Sequence, residues 1–596
     1  MESLNKQIGT NGVGLTQEPA RTLSSLQRWL RTHLAQVLLT SLLAGLGVQL
    51  VSVIFRKSVT LDELVLIPSA YYYLVTDDFD LVREHPPLCK VLSGLPVLFI
   101  QPNELRATPG DRTLAKIDLD WKYEMQFWQD NRERADMISF WSRVPMIGLS
   151  LGVGWLIFVF ARDFFGQWAA LLSVVLFSLE PTILAHARVV QTDMPATFGF
   201  LLTAFALHRY LRAPTWKLAI GLGSAVSLAM LAKFSMITLP PLLFIVFIAL
   251  LWLQPHRRRS LAVHASIVSI VVLVIINAAY IFHSGPLTET DLEWVATSFP
   301  SSQTAVLTSV RVLRFLIPTD FLMGVYWQLH HSNQGHPASL LGMYNRMGWW
   351  YYYPVAFLLK TTIPFLLVSL VALGWAVYGV LWKGKRSLLV LLLPFGLYSF
   401  LMMLSPIDIG IRYFLPAYPF LFILSGGMLF ALLQRPFQTS ARIISRVIVV
   451  IAFAWMTFEA VSTYPNYIPY MNQFASARPH WWYLSDSNIE WGDDIKELAA
   501  YLRARGETRV RTMALGDFVA LSFYGVDNLS ALSPPEASPP RYTVIGASFL
   551  NGSTVPEVFD GKRLPEAERI NAFDSFRQRT PEAVIGNSIY VYRMRD

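Results

Sequence analysis

Hydrophobic residues dominate the stretch from Leu34 to Phe55, and a helix needs roughly twenty such residues to cross a bilayer. The stretch is too long and starts too late for a cleaved leader. The polar residues before it, Arg21, Arg28 and Arg31 among them, lack a small-residue cleavage pattern, so it is expected to remain as a first span. Ten further runs follow: Met137 to Phe160, Trp168 to Leu184, Met194 to Leu211, Leu218 to Leu231, Met236 to Leu253, Leu261 to Phe282, Val355 to Trp382, Leu388 to Leu404, Ile411 to Leu433 and Ile443 to Val461. The pattern predicts a mainly α, polytopic membrane protein of about eleven transmembrane helices.

Two long segments interrupt it, Arg56 to Asp136 and His283 to Pro354. The first contains amphipathic stretches, Leu61 to Leu74 and Leu88 to Ile100, too short or too polar to span and suited to the membrane interface. From Tyr464 the composition turns polar. Asp493 to Arg505 has helical periodicity, while Val510 to Leu515, Tyr542 to Ala547 and Ser588 to Arg593 alternate as strands do. The expected organisation is therefore an N-terminal segment 1–33, a membrane region 34–463 and a small α/β domain 464–596.

With 53% hydrophobic and 15% charged residues the chain is too apolar for a soluble protein of 596 residues. Its 18 Trp, 24 Tyr and 38 Phe suit helix ends anchored at the lipid–water boundary. Cys89 is the sole cysteine, which excludes an intrachain disulfide. The net charge of +8 points less to nucleic acid than to orientation. If the N-terminus is cytoplasmic, the cytoplasmic loops hold Arg162, then Arg209, Arg212 and Lys217, then Arg257 to Arg259, then Lys383, Lys385 and Arg386, then Arg435 and Arg442. The opposite short loops hold only Arg188, Lys233 and Arg412, as the positive-inside rule requires. Both long segments and the C-terminus then lie outside.

Candidate chemistry gathers on that outer side. Asp62-Glu63 follows the first span, and His85-Pro86-Pro87-Leu88 with Lys90 lies farther along the same segment. Boundary carboxylates ordinarily just face water. The Pro-Pro step can begin a helix whose N-terminus, with His85 and Lys90, suits a lipid-linked phosphate, or it is simply a rigid turn beside a surface lysine. Arg188 and Thr192-Asp193-Met194-Pro195 open the fourth span, where Asp193 by itself reads as a helix cap. Asp408 and Arg412 have the i,i+4 spacing of an ion pair on one helix face, or of an arginine aimed at phosphate. Trp349 to Tyr353 reads as an interface belt, and His330, His331 and His336 lack a convincing ligand framework. Asn528-Leu529-Ser530 and Asn551-Gly552-Ser553 are glycosylation sequons, relevant only in a eukaryotic host.

In the order Leu61-Asp62-Glu63, His85-Pro86-Pro87-Leu88-Cys89-Lys90, Arg188 to Pro195 and Leu231-Ala232-Lys233-Phe234, the chain resembles glycosyltransferase family 39. That family includes protein O-mannosyltransferases and bacterial aminoarabinose transferases of lipid A, and it has the GT-C fold. Gly410 to Pro416 extends the likeness, and Tyr467 to Phe474 with Asp486 to Asp494 is similar to the ends of bacterial phospholipid-carrier-dependent members. The resemblance implies a hexosyl or pentosyl transferase that moves a sugar from a polyprenyl-phosphate carrier to a protein, lipid or polysaccharide acceptor outside the cell membrane. Asp62 is then the expected general base. Lys90, His85 and Arg412 are the expected charge for the departing phosphate, with Arg188 and Asp408 beside them. Glu63 and Asp193 would orient the base, the acceptor or a bound cation. Family members differ on a metal, so a divalent cation on Asp62, Glu63 and Asp193 stays open. No β-trefoil repeat separates the seventh and eighth spans, which favours a bacterial member. Trp349-Trp350 lacks the following aspartate of oligosaccharyltransferases, which argues against transfer of a whole glycan. A lipid or sugar transporter or flippase is the alternative from another class, and an inactive assembly factor is a third.

Overall fold

The computed structural model describes residues 25–103, 116–435, 439–534 and 538–594. Residues 1–24 of the expected N-terminal segment and 104–115 of the segment 56–136 lie outside the described residues. Every predicted span is mainly helical, although Trp168 to Leu184 breaks at the extended Glu180 between the helices Gln167–Leu179 and Pro181–His186. Among the described residues eight helices are long and apolar enough to cross a membrane, from His33–Ile54 to Ser440–Ser462. Gln167–Leu179 and Trp216–Ala232 are shorter, and Asp193–Arg212 has Arg209 and Arg212 in its last turn. Small residues let these helices approach closely, as is usual where lipid offers no hydrophobic drive between them. A Cβ on Gly199 would stand 2.6 Å from the Ala229 Cα, and one on Gly426 would stand 2.6 Å from the Ala169 carbonyl.

The predicted span Val355 to Trp382 is two helices, Tyr352–Lys360 and Ile363–Lys383. Pro364 has no N–H to give the Lys360 carbonyl. Thr182 Oγ1 donates to that carbonyl instead, at 2.7 Å. The buried Glu180 carboxylate accepts the freed Thr362 N–H at 3.2 Å and its hydroxyl at 2.9 Å. Trp349 to Tyr353 is not a uniform interface belt. Trp350 is exposed, but Tyr352 and Tyr353 are buried, the first accepting from Asn488 and the second donating to the Ile407 carbonyl.

In the segment 56–136 the helix Leu61–Thr76 starts with a reciprocal cap: Thr60 Oγ1 accepts the Glu63 N–H and Glu63 accepts the Thr60 N–H. Leu64, Leu66, Ile67, Ala70, Tyr71 and Tyr73 are all buried. Protein therefore covers a helix that its sequence assigned to the interface. Pro87–Ile100 follows, with Pro87 in its first turn and Phe99 exposed. The segment 283–354 holds the helices Glu289–Ser298, Gln303–Leu313 and Thr319–Gln334, then a hairpin of β1, Ala338–Leu340, and β2, Met343–Asn345.

The tail contains β3, Arg509–Met513; β4, Asp527–Ser530; β5, Tyr542–Gly546; β6, Ala583–Ile585; and β7, Ile589–Arg593. They form one sheet in the order β4-β3-β5-β7-β6. The β3 strand pairs in parallel with β4 and β5, while β7 pairs antiparallel with β5 and β6. The fully buried β5 and the alternating β7 were legible in the sequence; the short, half-exposed β4 and the three-residue β6 were not. The stretch 485–494 leads into this sheet, and it runs against the start of the helix Leu61–Thr76. Ser58 N–H donates to the Asp493 carbonyl and Leu61 N–H to the Trp491 carbonyl, both at 2.8 Å.

Candidate active site

Consecutive residues on a helix point in different directions, so Asp62 and Glu63 part company. Glu63 turns into the bundle, fully buried, against Arg143: Nε to Oε1 is 2.7 Å and Nη2 to Oε2 is 2.5 Å. It also accepts the Val190 N–H at 2.9 Å, which ties the helix start to the loop before Asp193. All its capacity is used on structure.

Asp62 faces the other way. Its Oδ2 lies 2.5 Å from Arg412 Nη1, and its Oδ1 accepts the Trp491 indole N–H at 3.1 Å. The Asp62 side chain is 22% exposed, whereas that of Arg412 is 8% exposed. The same Arg412 Nη1 stands 3.9 Å from Asp193 Oδ2, and Asp193 is paired in turn with Lys233. Lys233 Nζ sits 3.5 Å over the Tyr413 ring, and the Arg412 guanidinium lies 4.2 Å from the Trp491 centroid. Two carboxylates and two cations thus alternate in one chain of ion pairs. Burial pushes the Asp62 carboxyl up, but the Arg412 charge, aided by His85 and the Trp491 N–H, outweighs it and holds it below the ordinary carboxylate value. Asp62 is ionised and reachable. Burial also lowers the His85 imidazole below its usual value, against the pull of Glu84 and Asp62.

Four expectations change. Asp193 does not cap its helix, since Thr192 holds the cap position; it is the partner of Lys233. Lys90 is buried and gives its ammonium to the Leu81 and Val82 carbonyls at 3.0 and 2.8 Å, so it buttresses the loop before His85 rather than facing a phosphate. Arg188 is fully buried and bonds Asp493 Oδ2 at 2.7 Å, docking the tail. Asp408 makes no pair with Arg412, because the helical turn begins only at Ile411 and Gly410 precedes it in extended backbone. Its Oδ2 accepts the Trp349 N–H at 2.7 Å.

Burial drives the Asp408 carboxyl up to about 7, with the Trp349 N–H opposing it. The folded protein therefore holds a proton that the unfolded chain releases near 3.8, and stability falls as pH rises from there towards 7. Asp408→Asn keeps the acceptor for Trp349 and is expected to flatten that slope in thermal unfolding between pH 5 and pH 7.5.

The cation set does not form: Glu63 is bound to Arg143, while Asp62 and Asp193 pair with Arg412 and Lys233. Among the described residues no cluster of three His, Cys, Asp or Glu has metal-binding geometry. Sequence reasoning missed three residues. Arg143 carried a signal, a charge inside an apolar span. Lys233 and Trp491 enter the sequence reading only as a loop charge and as members of family-like stretches, with no role at the site.

Residues 139–282 match the family described as Dolichyl-phosphate-mannose-protein mannosyltransferase. The match takes in Arg143, Arg188, Asp193 and Lys233 and leaves Asp62 and Arg412 on either side. Together with the helical bundle and the order of motifs, this match over part of the chain supports a multi-pass membrane glycosyltransferase resembling family 39, whose fold is of GT-C type. Among solved structures, ArnT from Cupriavidus metallidurans bound to undecaprenyl phosphate is 13% identical over 96% of this chain and 98% of its own, with a TM-score of 0.46. The Archaeoglobus fulgidus oligosaccharyltransferase in the apo form is 11% identical over 86% of this chain and 62% of its own, with a TM-score of 0.48. No curated protein matches the sequence.

Proposed function

We propose that the protein transfers a sugar from a polyprenyl-phosphate carrier to an acceptor on the extracytoplasmic side, with Asp62 as general base. The observation that carries this reading is a single one: a partly exposed, ionised carboxylate bonded to a buried guanidinium. In this reading a phosphate that enters beside Arg412 competes with Asp62 Oδ2 for the guanidinium. Trp491 keeps its bond to Oδ1, and Asp62, relieved of part of the arginine's field, regains basicity. The acceptor oxygen attacks the anomeric carbon as its proton passes to Asp62, and the bond from that carbon to the phosphate oxygen breaks. The charge released on the phosphate falls to Arg412 and Lys233, with neutral His85 as a further hydrogen-bonding group. Asp193 orients the two cations, and Glu63 fixes the helix that presents Asp62. A polyprenyl-phosphate donor accords with the description of the matching family, which names a dolichyl-phosphate-linked hexose. The lysines and arginines between spans favour a cytoplasmic N-terminus and an outer tail.

The test is purified full-length protein in lipid, offered a panel of radiolabelled polyprenyl-phosphate sugars. Consumption of one donor supports the reading. Intact donors that instead cross the vesicle wall would sink it in favour of a transporter.

A further inference from the structure

The stretch Asp486 to Asp494 reaches the site from the tail, and its tryptophan hydrogen-bonds the proposed base. Trp491 is buried, 1% exposed, and is held twice by the turn that carries Asp62: its carbonyl accepts the Leu61 N–H at 2.8 Å and its indole N–H donates to Asp62 Oδ1 at 3.1 Å. The first-turn N–H of a helix has no partner within the helix, so the Trp491 carbonyl completes that turn. The ring's face meets the Arg412 guanidinium, whose Nε has no hydrogen-bond partner among the described residues. One side chain therefore contacts both members of the Asp62–Arg412 pair.

The anchoring of this tryptophan comes from the tail. Immediately before it, the buried Glu490 accepts the N–H groups of Leu515 and Ser548 at 2.7 and 2.8 Å, just beyond the ends of β3 and β5. After it, Asp493 is bonded to Arg188 at 2.7 Å, and Asp494 pairs with Lys57 and accepts from Ser588. The sheet's end loops and the membrane region grip the same short stretch from opposite sides.

We infer that Trp491 is a positioning residue for Asp62, so that the docked outer tail, beyond whatever acceptor it meets, completes the proposed catalytic pair. The inference rests on the reading of Asp62 as base. An indole N–H only donates, so it suits an ionised oxygen. It also keeps Asp62 in place when a phosphate competes for Arg412.

The test follows the protonation of Asp62 without requiring turnover. Full-length protein in nanodiscs is treated across a pH series with a water-soluble carbodiimide, which reacts with the protonated carboxyl, and labelled Asp62 is quantified by mass spectrometry. Trp491→Phe keeps a ring over Arg412 but removes the donor. Its labelling midpoint is expected to rise by about one pH unit, the order of effect of losing one hydrogen bond to a carboxylate. Asp494→Asn, which weakens the grip on Lys57, is expected to shift it in the same direction by less. Arg412, His85, Lys233, Tyr413 and Cys89, together with Asp193 across Arg412, are the same in all three proteins. A midpoint equal to wild type in Trp491→Phe overturns the inference; should that variant not fold, Asp494→Asn decides it. A purely architectural role would lower the yield of folded protein without moving the midpoint. Unaltered transfer by Asp62→Asn would instead refute the base reading and leave the labelling result standing, so the two failures are distinct.

Discussion

Asp62→Asn is expected to lower the rate of transfer from the active donor by about 10²–10⁴-fold, the range that a positioned general base contributes. Asparagine preserves the shape of the side chain and can still accept the Trp491 N–H, so the variant should fold like wild type. What it loses is the charge that takes the proton. Arg412 is left with Asp193 as its acidic neighbour, 3.9 Å away, and is more available to a donor phosphate. Donor affinity is therefore expected to hold or improve while kcat collapses, and steady-state kinetics with a radiolabelled donor would separate the two. A parallel loss of donor binding, with kcat for bound donor unchanged, would make Asp62 a ligand of the donor rather than a base.

The second large effect concerns folding. Arg143→Met leaves Glu63 buried without its cation, and removing one partner from such a pair costs about 3–5 kcal/mol. The loss should appear as a marked fall in the midpoint of thermal unfolding in detergent, followed by tryptophan fluorescence. Glu63→Gln with Arg143→Met removes both charges and retains a side chain able to cap Thr60. Most of the lost stability is expected to return in the double variant, because the penalty arises from the stranded charge more than from the lost attraction. A double variant no more stable than Arg143→Met alone would show that the arginine acts through its packing or its bond to the Ser58 carbonyl, 2.6 Å away.

Both predictions concern neighbouring residues that the sequence presented as one motif. Adjacent carboxylates look like a catalytic pair on paper, yet the helix turns them apart, one towards the accessible wall and one into the bundle. Asp408 and Arg412 illustrate the converse. Their spacing suits an ion pair on a continuous helix, and the chain is not helical at Asp408. Spacing arguments hold only where the assumed secondary structure exists. The break in the predicted span Val355 to Trp382 has the same cause in reverse: Pro364 marked it, but Thr182 and Glu180, which satisfy the interrupted backbone, come from a distant part of the chain.

Hydrophobic run length by itself determined where the membrane helices lie, because a bilayer imposes one span length and leaves no water for unpaired backbone. The order of short motifs was also readable, and with it the resemblance to family 39 and Asp62 as the residue to watch. The partners of Asp62 were not readable. Arg412 lies 350 residues from it and Trp491 lies 429 residues away, and no periodicity or local spacing encodes contacts at that distance. Only the packing of the bundle brought the cations to Asp62 and Asp193, turned Lys90 and Arg188 to structural work, and set the tail's tryptophan against the proposed base. Charge pairing in a buried site is decided by which surfaces meet, and that is a property of the assembled fold.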